Sequence, residues 1–325
     1  EKYYTVGIHS GSLKADSGRI ADAETANSLK EKCTGANAVC TSIRREKKAE
    51  QPPKLYDLTT LQREANRLFG FTAKQTLDYA QQLYEKKLLT YPRTDSQYLT
   101  EDMGRTAQHL VSDLLGLLPF AQGLALTPDV DRVLNSKKVS DHHAIIPTAE
   151  FVKQGFTDLA ESECKLMNLI CAVAVPHEYE TVAAVFSCAG NEFTAKGKTV
   201  LIPGWKEIDQ RFRSTLKADN EEEVLNSLPE LTEGQSFSVA ADISEHFTSP
   251  PKAYTEDTLL SAMERAGAED MPKDAERKGL GTPATRAAIL EKLVQMGFVQ
   301  RKGKQLVPTK DGINLAVVLP ESLTS

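Results

Sequence analysis

Residues Tyr91-Pro92-Arg93 bring a phenol, a rigid ring and a guanidinium together within three positions. Proline disfavours the helical conformation in the residue before it, so Tyr91 is expected to be extended. Side chains two apart in an extended chain point the same way, which puts Tyr91 and Arg93 on one face. A free phenol is a poor nucleophile because its pKa is about 10; it needs a base, a cation or both to attack at neutral pH. A guanidinium stays protonated and cannot be that base, but it suits the oxygens of a phosphodiester under attack. Asp95 falls on the same face and either orients Arg93 or forms a turn with Ser96.

Two later segments carry the same kind of chemistry. In Ser140-Asp141-His142-His143-Ala144-Ile145-Ile146-Pro147-Thr148, a histidine can donate to a phosphate oxygen or move a proton. The polar Asp-His-His run precedes an apolar one, consistent with an exposed His142, and His143 is read as structural. In Gly279-Leu280-Gly281-Thr282-Pro283-Ala284-Thr285-Arg286, Thr282-Pro283 marks a helix start, with a capping hydroxyl followed by proline at the first helical position. Free N–H groups at such an end make a phosphate site. Thr282, Thr285 and Arg286 are the candidate contacts there.

The three segments, in this order, resemble the active-site and DNA-path segments of type IA DNA topoisomerases, and Tyr-Pro-Arg-Thr-Asp looks like the topoisomerase III branch. The resemblance covers essentially the whole chain. It implies that Tyr91 attacks single-stranded DNA and holds the cut 5′ end as a phosphotyrosine. Arg93 would stabilise the attacked phosphate, His142 would lie close to it, and Asp95, Thr282, Thr285 and Arg286 would belong to the DNA-binding set. The parent would then pass another strand through the gap and reseal it without an external energy source. The resemblance also implies an arch of β-strands carrying a helical tyrosine domain. It implies a preceding metal-binding domain with an acidic triad for Mg2+ and a glutamate for proton transfer, neither of which is in this chain. The chain starts at Glu1 and stops soon after the apolar stretch Ile313 to Leu319, and is expected to be a piece of a longer protein. No metal is expected on it, and it is expected not to relax DNA alone.

The elements that must position these residues read as a mixed α and β, multidomain chain. Residues 1–53 read as the first part of a β-rich arch, with a helix from Asp22 to Cys33. Residues 54–180 read as an inserted, mainly helical domain with the tyrosine. Its helices run over Leu58 to Phe69 (capped by Thr59 or Thr60), Thr72 to Lys86, Thr100 to about Leu118, and Glu161 to Val175. Residues 181–249 return to the arch, with strands at Thr181–Cys188, Glu192–Ala195, Thr199–Ile202 and Ser236–Ile243. Residues 250–325 read as a separate, truncated helical DNA-binding domain.

The bulk properties restrict the alternatives. The chain has 325 residues, 40% of them hydrophobic, and a net charge of −6, so any affinity for nucleic acid must come from local patches. Arg44, Arg45, Lys47, Lys48 and Lys54 form one basic cluster. Lys273, Arg277, Lys278, Arg286, Lys292, Arg301, Lys302, Lys304 and Lys310 form a second. The acidic run Asp219 to Glu223 reads as a solvated loop. Five cysteines without a C-x-x-C pair suggest neither a disulfide framework nor a zinc site, but buried reduced thiols in a cytosolic protein; the resemblance implies a bacterial cytoplasm, at the nucleoid. No apolar run nears the ~20 residues that span a bilayer. A metal nuclease would need clustered carboxylates; Asp129-Val130-Asp131 is followed by Arg132-Val133, not by an acid. A second reading stays open: Thr255 to Gly312 alone could be a winged-helix DNA module of a regulator with no catalytic role.

Overall fold

The structure, a computed structural model, describes residues 1–122, 129–171, 177–202, 205–215, 228–267 and 279–320. The expected loop at Asp219 to Glu223, and Lys273, Arg277 and Lys278, lie outside them. The chain divides into two units. One comprises Glu1–Gln51, Pro176–Lys206 and Asp219–Lys252; the other comprises Pro52–Val175, Glu207–Ala218 and Ala253–Ser325.

The first unit is an antiparallel sheet with one helix. Its strands are β1 (Lys2–Ser10), β2 (Leu13–Asp16), β3 (Asn37–Glu50), β4 (His177–Cys188), β5 (Asn191–Ile202), β6 (Ser236–Ser238) and β7 (Ala240–Phe247), with α1 (Ala23–Cys33) between β2 and β3. Alternate residues Val6 and Ile8, Leu13 and Ala15, Ala184, Phe186 and Cys188, and Phe193 and Ala195 turn inward and meet Ala26, Leu29 and Cys33 of α1. This is the period of two that a sheet with one buried face requires. Asp22 caps α1, accepting the Thr25 N–H at 2.7 Å. The two strands expected at Glu192–Ala195 and Thr199–Ile202 are one continuous strand, β5, paired along β4.

The strand order is β6-β3-β4-β5-β2-β1-β7. The two edge strands, β6 and β7, are consecutive in sequence and separated only by Val239. Strands at opposite edges can be joined by one residue only if the sheet curls until its edges meet. Val239 is fixed at that join, accepting from Gly35 N–H at 2.9 Å and donating to the Ala36 carbonyl at 3.1 Å. Cys33, Cys40 and Cys188 are buried here, whereas Cys164 and Cys171 of the other unit are half-buried. Burial, together with the neighbouring Cys188, pushes the Cys33 thiol up to about 12.

The second unit is mainly helical. It contains α2 (Leu58–Phe69), α3 (Ala73–Glu85), α4 (Gly104–Leu117), α5 (Ala149–Gln154) and α6 (Glu161–Cys171). From Glu207 onward it takes in α7 (Trp205–Thr215), and then α8 (Glu256–Arg265), α9 (Pro283–Gln295), the hairpin β8 (Val299–Lys302) and β9 (Gln305–Pro308), and α10 (Lys310–Val318). Leu61, Ala65, Ala80, Leu83, Leu88, Phe151, Leu166 and Phe212 share its main core. The helix expected to start at Thr100 opens instead with a 3-10 turn, Glu101–Met103, and α4 follows it. α6 is described to Cys171; the rest of the helix expected to Val175 lies outside the described residues.

Of residues 250–325, expected as a separate domain, 253–325 cluster with the helices around Tyr91. The reason is a set of polar ties. Arg63 of α2 donates to Asp257 at 2.8 Å, and the Ala73 N–H that opens α3 donates to buried Glu256 at 2.6 Å. Arg301 on β8 pairs with Glu256 at 2.7 Å and with Glu291 at 2.6 Å. Part of the second basic cluster is therefore spent inside the fold. Ala73, Leu260, Met263, Ala287 and Leu290 close the apolar contact beneath.

Candidate active site

Tyr91 leaves α3 through a short extended segment. Along it Pro92, Thr94 and Ser96 are buried, Arg93 and Asp95 are exposed, and Tyr91 is half-buried. The alternation puts Arg93 and Asp95 on the open side, as the proline and the period of two require. The buried side is stitched down at each step. Thr90 N–H donates to the Ile146 carbonyl at 3.0 Å and accepts back through its hydroxyl from Ile146 N–H at 2.9 Å. The Thr94 hydroxyl donates to the His142 carbonyl at 2.8 Å. Ser96 hydroxyl donates to the Lys138 carbonyl at 2.9 Å.

These bonds bring His142 to the tyrosine. The two ring centroids are 4.3 Å apart and tilted by 43°, and the His142 side chain is exposed. Tyr84, from the last turn of α3, packs edge-on against Tyr91 at 5.5 Å. His143 turns away and bonds through Nδ1 to the Ala144 carbonyl at 2.8 Å. Asp95 does not bond Arg93: it accepts from the Ser140 hydroxyl at 3.1 Å, tying the first segment to the second.

The third segment joins the same assembly through the first turn of α2. Leu58 N–H donates to the Thr94 carbonyl at 3.0 Å, while the next residue, Thr59, accepts from Arg286 Nη1 at 3.0 Å. Arg286 is only 3% exposed, and its Nε donates to the Leu280 carbonyl at 3.1 Å. The expected contact of Arg286 with DNA is therefore not presented: the guanidinium faces inward because Thr59 and Leu280 satisfy it there. Thr282 and Thr285 are exposed. The Thr285 hydroxyl accepts the Thr282 N–H at 2.9 Å, and Thr285 N–H donates to the Thr282 carbonyl. Pro283 has no N–H, so this helix end offers fewer open donors than its sequence suggests.

The glycines of this segment have a local cause. Gly279 has φ +58°, and a Cβ there would stand 2.3 Å from the Met263 carbonyl oxygen. Only glycine allows the approach by which Leu280 N–H reaches that oxygen at 2.7 Å. This fixes the Leu280 carbonyl for Arg286.

Asp57, not Thr59 or Thr60, caps α2. Its carboxylate accepts the Thr60 N–H at 2.7 Å and Gln97 Nε2 at 2.9 Å. The spacing Asp57-Leu58-Thr59-Thr60 holds the signal for this cap, with an acid three residues before a hydroxyl. Burial pushes the Asp57 carboxyl above the ordinary range against these hydrogen bonds, and the charge of Asp95 pushes the same way. A raised folded-state value means that the folded protein binds this proton more tightly than the unfolded chain. That contribution is complete below the unfolded value of about 3.9 and is lost as pH rises through the folded one. Asp57→Asn, which keeps an acceptor and removes the charge, is expected to change stability at pH 7 by less than about 0.5 kcal/mol and to flatten the acid limb. Asp57→Ala is expected to cost about 1–2 kcal/mol. Denaturant unfolding of the three proteins from pH 4 to 7 checks both; an Asn variant as unstable as the Ala variant would contradict the account.

With this geometry in place, comparison with known proteins is direct. The family described as DNA topoisomerase matches residues 1–325, and the chain belongs to it. Among its relatives, DNA topoisomerase 3 of Bacillus licheniformis is 39% identical, with 96% of this chain aligned to 45% of that protein. DNA topoisomerase 3 of Bacillus subtilis is 36% identical over the same shares. The chain thus spans less than half the length of these relatives. Full-length topoisomerase I of Thermotoga maritima superposes with a TM-score of 0.73 over 96% of this chain and 50% of its own, at 24% identity, a likeness of fold.

Proposed function

We propose that this chain is the tyrosine-bearing part of a bacterial type IA DNA topoisomerase of the topoisomerase III kind, with the first unit as the arch and the second carrying the active site. The observation that carries the reading is the tilted ring contact of exposed His142 with Tyr91, held by the Thr94 tie, with Arg93 on the open side. Tyr91 Oη gives up its proton to solvent, attacks a phosphodiester of single-stranded DNA and forms a P–O bond. The bond to the 3′ oxygen breaks, and that oxygen leaves as a hydroxyl after taking a proton. Arg93 holds the non-bridging oxygens, and His142 donates to one of them. Resealing is the reverse attack by the 3′ hydroxyl. One phosphodiester replaces another, so no external energy source is needed. Relaxation or decatenation would follow from passing a strand through the gap, in the cytoplasm at the nucleoid.

The resemblance assigns Mg2+ to the parent. Among the described residues no three His, Cys, Asp or Glu side chains cluster as a metal site, and Asp57 and Asp95 are engaged by Gln97 and Ser140. The residues present do not fit the ion, and no step here is routed through it. No helix among the described residues is long and apolar enough to cross a membrane. The regulator reading is less favoured because the module from Thr255 to Gly312 is bolted to α2 by Arg286 and Asp257.

Covalent trapping tests the proposal. Single-stranded DNA labelled at its 3′ end is mixed with the full-length protein and with this chain alone, then resolved on denaturing gels. Protein-linked label is expected with the full-length protein and not with the chain. An adduct with neither, under any condition, would overturn the enzyme reading.

A further inference from the structure

Seven residues beyond Tyr91 on the same segment, Tyr98 gathers two cations. Lys138 Nζ donates to its hydroxyl at 3.2 Å and lies 4.7 Å from its ring centroid, and Lys54 Nζ lies 5.1 Å from the same centroid. Both lysines are exposed. Among the described residues, neither ammonium has a carboxylate within ion-pair distance. Two like charges held around one phenol repel each other. The backbone at each lysine is tied down on both sides of Tyr98. The Arg132 guanidinium donates to the carbonyls of Pro52 and Pro53, immediately before Lys54. The Lys138 carbonyl is held by Ser96. Hydrogen bonds and charge from Lys54, and then Lys138, hold the Tyr98 phenol below its ordinary value, a sign of local positive potential.

We infer that Lys54, Tyr98 and Lys138 form a phosphodiester-binding subsite for single-stranded DNA beside the cleavage segment. The inference rests on the reading of Tyr91 as the nucleophile and extends it to where the neighbouring strand runs. Seven extended residues span at most about 25 Å, so a strand held at Tyr91 reaches this cluster within a few nucleotides. A bound strand relieves their repulsion, each ammonium donating to a phosphate oxygen of the strand. The backbone ties make the subsite part of the cleavage segment: Ser96, which holds Lys138, sits between Tyr91 and Tyr98.

The test is fluorescence anisotropy of labelled oligo-dT titrated with this chain over a salt series. Lys54→Gln/Lys138→Gln is expected to weaken binding roughly tenfold at low salt. It should also lower the slope of log affinity against log salt by about 1.4, at about 0.7 per phosphate contact on a single strand. Lys14→Gln/Lys32→Gln, the same loss of charge on the first unit, is expected to leave the slope unchanged. If the wild-type chain binds and the first double variant matches it in affinity and slope, the subsite is overturned while the tyrosine reading stands. An equal drop in both double variants would reduce the effect to overall charge and overturn it as well. Inorganic phosphate exchanged for chloride at equal ionic strength should displace no extra DNA; extra displacement, lost in the Lys54/Lys138 variant, would reassign the cluster to free phosphate. A wild-type chain that binds no DNA at low salt would overturn the subsite and leave the tyrosine reading to covalent trapping with the full-length protein.

Discussion

Tyr91→Phe in the full-length protein is expected to abolish covalent capture of DNA and to lower plasmid relaxation by at least about 10⁴-fold, the scale on which removal of a catalytic nucleophile acts. The fold should not notice. The substitution removes one oxygen from a half-buried side chain, and the ring keeps its contacts with Tyr84 and His142 at 5.5 and 4.3 Å. Stability should change by no more than about 0.5 kcal/mol, the usual range away from buried features. The pairing of the two readouts matters, because an inactive variant that had also unfolded would say nothing about chemistry. Tyr84 is the neighbouring phenol that could substitute, being 40% exposed and in ring contact. Tyr84→Phe is therefore expected to keep its adduct. Persistent label on the Tyr91→Phe protein would remove Tyr91 from the role assigned to it.

The second large effect falls on stability. Arg286→Ala is expected to cost about 3 kcal/mol and to lower the unfolding midpoint of this chain by roughly 5–10 °C. The guanidinium is buried, and its loss orphans the Thr59 hydroxyl and the Leu280 carbonyl and removes the cation 3.8 Å from Glu264. Burial first, and then the charge of Asp57, push the Glu264 carboxyl above the ordinary range, while Arg286 opposes them. The raised carboxyl is neutral at low pH and ionises as pH rises through its folded value. The cost of losing Arg286 should therefore grow from pH 4 to pH 7. Arg286→Lys is expected to rescue little, since one ammonium cannot reach both acceptors in the fork that a guanidinium provides. Thermal unfolding at both pH values decides the matter. An Arg286→Ala protein as stable as wild type, but weak in binding DNA, would return this residue to the DNA surface.

That reversal for Arg286 marks where the sequence stops informing. Its place in the first turn after Thr282-Pro283 was plain, but which way it faces depends on Thr59, 227 residues away, and no local pattern carries that partner. By contrast, the exposed side of the tyrosine segment was legible, because proline and the period of two act within a few residues. The proximity of His142 to Tyr91 came from the resemblance; the bond that enforces it, from Thr94 to a carbonyl 48 residues on, did not. The cap of α2 was misread among adjacent capping residues. Asp57 wins because its carboxylate serves both Thr60 and Gln97. The curl of the sheet was invisible, since it follows from strand order and from one residue, Val239, lying between the two edges.

The ties that complete the tyrosine site also set when it can exist during synthesis. Its first half, from Pro52, leaves the ribosome well before α9, and Arg286 follows Tyr91 by 195 residues (286 minus 91). At about 5–20 residues per second the interval is roughly 10–40 s. Over that time Thr59 has not met Arg286, and for most of it Arg63 and the α3 start at Ala73 have not met Asp257 or Glu256. The strands β4 to β7 are made in between. A nascent chain therefore holds its nucleophile long before it holds the residues that fix the nucleophile's surroundings, and a ribosome stalled before α8 would display an open, unlatched tyrosine segment.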